Sequence, residues 1–155
     1  MFSFSRSKFI QVPPEFLFDF ATDQINLPKW SPEVIRSDVI GGGPVQRGAR
    51  LKQERRRGKG SFSTELTVVE HERPSRHSLT ALVLGFYATF RFSFAAEGEG
   101  TRAQFDARIV GKGLVNRLFE AFIGRTIERT DDRVLERLKA AAETAYSKSS
   151  KRSKR

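Results

Sequence analysis

The 155-residue sequence contains no cysteine, which excludes disulfides, thiolate catalysis and Cys-ligated zinc. Hydrogen-bonding aromatics are scarce, with two Tyr and one Trp beside 14 Phe. Phe has no polar tip, so this usage suits a dry interior better than a polar recognition surface. Long apolar runs are missing as well. The longest mostly apolar stretch, Leu79 to Phe90, is interrupted by Thr80, Gly85 and Thr89, whereas a membrane span needs roughly 20 residues. Met1 to Lys8 places Arg6 and Lys8 where a signal peptide needs an apolar core, so a soluble, cytoplasmic protein is expected. Acids are in deficit, 18 against 28 basic residues, for a net charge of +10.

What is present reads as one domain over residues 1–146 followed by a basic tail, 147–155. A chain of this length buries roughly 70% of its unfolded surface on folding, enough for a core without staples. Phe2 to Val12 alternates like a strand and stops at Pro13-Pro14. Glu15, Phe16, Leu17 and Phe20 then fit a short amphipathic helix over about 14–22. Asn26 to Pro32 leaves room for a turn or one more short helical piece.

From Glu33 the period changes to two. Strands are expected at 33–40, closed by Gly41-Gly42-Gly43-Pro44, at 49–56 and at 62–69, with Gly58-Lys59-Gly60 as the turn between the last two. Further strands follow at 77–84, apolar on both faces, then at 86–94 and 103–109. After Gly113 the period returns to 3.6, and Val115, Leu118, Phe119, Phe122, Thr126, Val134, Leu138 and Ala141 trace one stripe to about Tyr146. Gly124 or Thr130-Asp131 would be the place for a bend. The pairs Arg125–Glu128, Arg129–Asp132 and Arg133–Glu136 are spaced to support a solvated opposite face. The tail holds Lys148, Lys151, Arg152, Lys154 and Arg155 with no acid, which is half of the net charge. It is expected to be disordered, with weak contact to anionic lipid or RNA as its possible use.

The order is thus strand, two short helices, six strands, long helix: an α+β chain whose antiparallel sheet can bury one face only if the last helix lies across it. Several segments carry a resemblance. They are Val12-Pro13-Pro14-Glu15, Asp23 with Leu27-Pro28-Lys29-Trp30-Ser31-Pro32, Gly43-Pro44 with Gly48-Ala49-Arg50, Gly98-Glu99-Gly100-Thr101-Arg102, and Gly113-Leu114. In this order they resemble the START / birch-pollen-allergen-like (SRPBCC) superfamily, in its bacterial polyketide cyclase/dehydrase-like or coenzyme Q-binding-like branch. The resemblance implies a helix-grip fold, a curved seven-stranded antiparallel sheet wrapped around a long C-terminal helix. It does not imply one activity, because the superfamily includes lipid carriers, cyclases, receptors and ribosome-associated proteins.

Catalytic motifs are not found. The glycine run at 41–43 joins two strands with a proline inside it, unlike a dinucleotide loop, and Arg57-Gly58-Lys59-Gly60 lacks the Ser/Thr of a P-loop. His71 and His77 flank a corner and read as solvated residues. No metal, cofactor or catalytic residue is assigned. The candidate cavity residues are apolar for the most part: Phe16, Phe20 and Trp30 from the first helices, and Leu51, Phe62 and Leu66 from the middle strands. Phe90, Phe92 and Phe105 from the later strands join them, with Leu118 and Phe122 from the last helix. Gln53 and Arg55 share the parity of Leu51, so Arg55 either enters the cavity or lies in solvent beside Arg56 and Arg57. The function expected is binding or transport of a small apolar or amphipathic molecule such as a lipid, quinone or polyketide. A polyketide aromatase/cyclase using Gln53 and Arg55 is the alternative, and a ribosome- or RNA-associated role through the basic surface is a further one. The sequence leaves the oligomeric state open.

Overall fold

A computed structural model describes residues 1–153. Strand β1 (Phe2–Ile10) leads into helix α1 (Pro14–Thr22), whose Pro14 occupies a first-turn position where its missing N–H deprives no carbonyl of a partner. Asp23 ends α1, and its carboxylate accepts a hydrogen bond from the Ile25 N–H (3.1 Å), which starts a single 3-10 turn at Gln24–Asn26. Helix α2 (Leu27–Trp30) follows directly. Six strands come next: β2 (Val34–Val39), β3 (Arg50–Arg57), β4 (Gly60–Glu72), β5 (Arg76–Val83), β6 (Phe86–Glu97) and β7 (Gly100–Gly111). They form one curved antiparallel sheet in the order β1-β7-β6-β5-β4-β3-β2, so the first strand returns to pair with the last.

The alternation read from the sequence decides what is buried. Phe86, Ala88, Phe92 and Phe94 of β6 are buried beside Ala103, Phe105, Ala107 and Ile109 of β7. Their outward neighbours, such as Tyr87 and Arg91, face solvent. This face receives α1 and the C-terminal helices, whereas Leu51, Leu66, Val68 and Ala81 form a separate apolar cluster on β3–β5.

The C-terminal helix is interrupted. Helix α3 (Gly113–Asp131) and helix α4 (Val134–Ser153) are separated by a turn at Asp132-Arg133. Arg6 of β1 anchors this turn, reaching Asp132 (2.8 Å) and Glu128 (3.1 Å). These two carboxylates were expected to pair with Arg129 and Arg125 along the helix. Drawn to Arg6 instead, they leave Arg125 and Arg129 without an ion-pair partner among the described residues.

The break also overturns the single stripe. In α4, Val134, Leu135, Leu138 and Ala142 are buried as the pattern requires. In α3 the side toward the sheet carries Glu120, Gly124, Ile123 and Ile127, and the sequence-predicted stripe of Val115, Leu118, Phe119 and Phe122 faces outward. Glu120 is held inward by the Gly111 N–H (2.8 Å) and by the Met1 amino group, which keep its carboxyl below the usual carboxylate range. The turn at Asp132-Arg133 lets α3 and α4 bury differently phased faces.

The seat of α3 depends on Gly111. A Cβ there would lie 2.5 to 2.7 Å from backbone atoms of Asn116 and Arg117, so a side chain must lift the first turn of α3 from β7. Gly111→Ala is expected to cost about 1–3 kcal/mol, the range for overpacking, seen as a lower denaturant midpoint. A neutral result would mean that α3 does not rest on β7.

The tail differs from expectation. Rather than losing structure after Tyr146, α4 continues to Ser153, because Tyr146 packs edge-on against Phe16 (5.0 Å) and an anchored helix adds further turns at little cost. Lys154 and Arg155 lie outside the described residues. No helix among the described residues is long and apolar enough to cross a membrane.

Candidate ligand site

The inward side of the sheet is assembled by register. In the β3–β4 ladder Leu51 faces Leu66, Gln53 faces Thr64 and Arg55 faces Phe62. Leu51, Gln53 and Leu66 are buried, Arg55 is half-buried and Phe62 is 39% exposed. Arg55 therefore does not stand in bulk solvent with Arg56 and Arg57. Its guanidinium donates to Gln53 Oε1 (3.1 Å), the one hydrogen bond it makes among the described residues.

Among the described residues no carboxylate forms an ion pair with Arg55, although Asp131 at the helix break lies within its field. Burial, together with Glu33, pushes the Asp131 carboxyl up to about 6 against the pull of Arg55 and Arg137. Sequence periodicity cannot bring Asp131, Glu33 and Arg137 toward Arg55, because they come from a helix break, a loop and a second helix.

The aromatic wall stands across the sheet. Phe92 and Phe105 are 4.9 Å apart, Phe90 stacks on Phe105 at 6.1 Å, and Trp30 meets Phe92 edge-on at 5.7 Å. Trp30 is buried and its Nε1–H has no partner among the described residues. An unpaired buried donor costs about 1–3 kcal/mol unless something accepts from it. Phe20 is buried in the same core, while Phe16 is only partly covered and packs between Phe20 and Tyr146. Leu118 and Phe122 do not join the site. They are 83% and 70% exposed because Glu120 and Gly124 take the sheet-facing side of α3.

Two features interrupt the ladder between β4 and β5. It runs only from Thr67↔Thr80 to Glu72↔Arg76, so the first part of β4 pairs with β3 alone and the end of β5 with β6 alone. The resulting seam lies between Phe62, Thr64 and Leu66 on one side and Ala81 and Val83 on the other. A bulge between Val68 and Glu70 then reverses the parity of β4 and turns His71 inward. The two histidines are thus not solvated corner residues. His77 is buried, its Nδ1 is 3.1 Å from Nδ1 of His71, and Phe18 packs on both rings. Burial, with His71 adding to it, pushes His77 down to about 4.

An open cleft of about 500 Å³ lies elsewhere, lined by Asp19, Asp23, Gln24, Ser37, Asp38, the glycine-run loop and His71. It shares no residue with the sequence-predicted set. Three carboxylates on an open rim suit a polar surface groove rather than an apolar guest. Among the described residues no group of three or more His, Asp or Glu side chains is placed to hold a metal ion.

A curved antiparallel sheet closed by its own first strand, two short helices after that strand and C-terminal helices across the inner face define the helix-grip class. The chain belongs to the polyketide cyclase / dehydrase and lipid transport family, whose family model matches residues 1–143. No curated protein sequence matches it.

Solved structures agree on the fold. The chain is similar to Ara h 8.0201, with TM-score 0.74 at 12% identity, covering 92% of this chain and 98% of that one. It is similar to a START superfamily protein from Mycobacterium smegmatis, with TM-score 0.66 at 18% identity, covering 94% and 97%. It also matches half of the di-domain ARO/CYC protein BexL of the BE-7585A biosynthetic pathway, with TM-score 0.72 at 24% identity over 92% of this chain.

Proposed function

We propose that this protein binds a small amphipathic molecule between the inner face of the sheet and the C-terminal helices. The apolar part lies toward Phe90, Phe92, Phe105 and Trp30, and the polar end toward Gln53 and Arg55. The observation that carries this reading is the half-buried Arg55, a permanent cation on the inner face whose hydrogen bond goes to a neutral amide. A carboxylate, enolate or quinone oxygen on a guest would complete it, and a charged hydrogen bond of this kind contributes about 1.5–3 kcal/mol.

The single tryptophan supplies the readout. Titrating the protein with a fatty acid, a short-chain quinone and an aromatic polyketide is expected to shift Trp30 emission for at least one of them. Arg55→Ala should then weaken that ligand about tenfold or more while leaving the melting temperature unchanged. Silence from all three classes, or equal binding by the variant, would sink the proposal.

A second reading is favoured by Asp131, whose carboxyl is pushed up to about 6 beside Arg55. A proton acceptor near neutrality next to a cation is the pairing that an aldol-type cyclisation of a poly-β-ketone needs, the ionised carboxylate taking an α-proton and the guanidinium holding the enolate. Turnover of a poly-β-keto thioester that follows an ionisation near 6 and disappears in Asp131→Asn would establish the enzyme. Ligand binding without turnover leaves the carrier reading in place.

A further inference from the structure

One edge of the sheet collects apolar side chains that nothing covers. The registers Arg57↔Gly60, Val83↔Phe86 and Phe86↔Gly111 bring the β3–β4 turn, the β5–β6 turn and the start of α3 to this same edge. Gly85 and Asn116 join the last two, the Asn116 side chain donating to the Gly85 carbonyl (3.2 Å). On this edge Leu82, Val83 and Leu84 stand exposed at the hairpin tip, with Leu118, Phe119 and Phe122 along α3. Isolated exposed apolar residues are ordinary, but a set drawn from two elements tied together by the Asn116–Gly85 hydrogen bond marks an interaction surface.

Leu84 adds an independent observation. It is 88% exposed and adopts φ +53°, the left-handed region that glycine or asparagine occupies without strain. A bulky apolar side chain is therefore displayed at a position where folding alone favours glycine.

Charge identifies the partner. Segments 56–61, 82–87 and 110–119 carry Arg56, Arg57, Lys59, Lys112 and Arg117 and no acid. Arg125 and Arg129 extend the basic margin along α3, with no carboxylate partner among the described residues. The opposite edge is mixed in charge, since Glu97 and Glu99 flank the β6–β7 turn but Glu97 pairs with Arg102 (3.0 Å) and Arg73 and Arg76 lie at the β4–β5 corner. A second copy docking by two-fold symmetry would set these cations against one another. Anionic lipid headgroups neutralise them, and the acyl boundary accepts Leu and Phe, the arrangement of a helix lying in a membrane interface.

We propose that this edge, formed by the β5–β6 tip and the first turns of α3, docks on an anionic lipid bilayer. Docking does not depend on the identity of any ligand in the fold. The β4–β5 seam opens toward the same edge, so a bilayer-bound molecule presents its inner face near the lipid.

Co-sedimentation of the full chain with phosphatidylserine-containing vesicles tests the surface. Binding is expected there, with little on pure phosphatidylcholine and release by salt. Leu118→Asp combined with Phe122→Asp, both at exposed positions, should reduce affinity about tenfold or more without changing the circular dichroism spectrum. Leu84→Gly should raise the melting temperature and weaken vesicle binding together, a split that a purely structural role does not produce. The proposal is overturned by absence of binding to phosphatidylserine vesicles, or by variants that bind as well as the parent. It is equally overturned by a dimer in size-exclusion chromatography that the two aspartates dissolve, or by RNA that competes for the parent but ignores those substitutions.

Discussion

Phe105→Ala is expected to destabilise the protein by about 3–5 kcal/mol, a large share of the roughly 5–15 kcal/mol that holds a domain of this size together. Phe105 is 2% exposed in the middle of β7. Its ring is the point where three others converge: Phe92 at 4.9 Å, Phe4 at 5.9 Å and Phe90 at 6.1 Å. Those neighbours come from β1 and β6, and hydrogen-bonded strands cannot close over the space left behind, so the cavity term adds to the lost transfer energy. Phe105→Leu fills most of that space and should cost under half as much. The test is a pair of urea titrations with matched slopes. A loss below about 1 kcal/mol for the alanine variant would mean that the aromatic wall is already loose. The same substitution bears on ligand binding, since Phe90 lies nearly parallel to Phe105 and would lose its backing.

Much of this architecture is legible in the sequence because a half-buried strand writes its burial into every second residue. Phe86 to Phe94 and Ala103 to Ile109 alternate without interruption, and the structure buries the positions that the alternation selects, with Phe90 only partly covered. The order of elements then leaves the last helices as the cover for the sheet. Three features escaped, each for a physical reason. The bulge after Val68 inserts one residue that no local pattern marks, so His71, read from the sequence as a solvated corner residue, turns inward. The bend allowed at Thr130-Asp131 occurs next to it, at Asp132-Arg133, but its anchor is Arg6, some 126 positions away in the chain, and the change of apolar phase across it escaped.

The third escape is α3, whose most hydrophobic side faces solvent. Burial of Glu120 and Gly124 rests on two close approaches, Gly111 to the backbone of Asn116 and Arg117 and Gly124 to the Phe2 side chain, which periodicity cannot register. The excess of Phe therefore has two destinations. Phe92 and Phe105 build the interior, while Phe119 and Phe122 lie on the surface. Among the sequence-predicted site residues, Gln53 and Arg55 fall on the same inward parity as Leu51, and Leu118 and Phe122 fall outside.

The response of stability to pH is expected to be nearly flat between about 6.5 and 4, through two large opposing contributions that single variants expose. His77 titrates at its ordinary 6.5 in the unfolded chain and near 4 in the folded one. Below 6.5 the unfolded chain binds a proton that the folded chain refuses, so acid removes stability, up to about 3 kcal/mol by pH 4. His71, lowered by burial as well, works in the same direction. Asp131 has the opposite sign, because its carboxyl titrates near 6 when folded and at 3.8 when unfolded. The folded chain takes up that proton first, so stability rises by up to about 3 kcal/mol as pH falls through this window.

Asp131→Asn removes a half-buried charge. The variant should be more stable than the parent at pH 7 by about 2–3 kcal/mol and should then lose stability steeply on acidification, since His77 is unopposed. His77→Gln should do the reverse and gain stability as pH falls toward 4. Asp19 and Glu120, held below their ordinary values by Arg73 and by the Met1 amino group respectively, act only as pH falls through and below those values of 3.8 and 4.5. They set the acid limit beneath most of the window. Urea midpoints of the parent and both variants at neutral and acidic pH decide the matter. Parallel curves for all three proteins would show that neither group is buried as described, whereas slopes of opposite sign would fix Asp131 as the carboxyl that ionises beside Arg55.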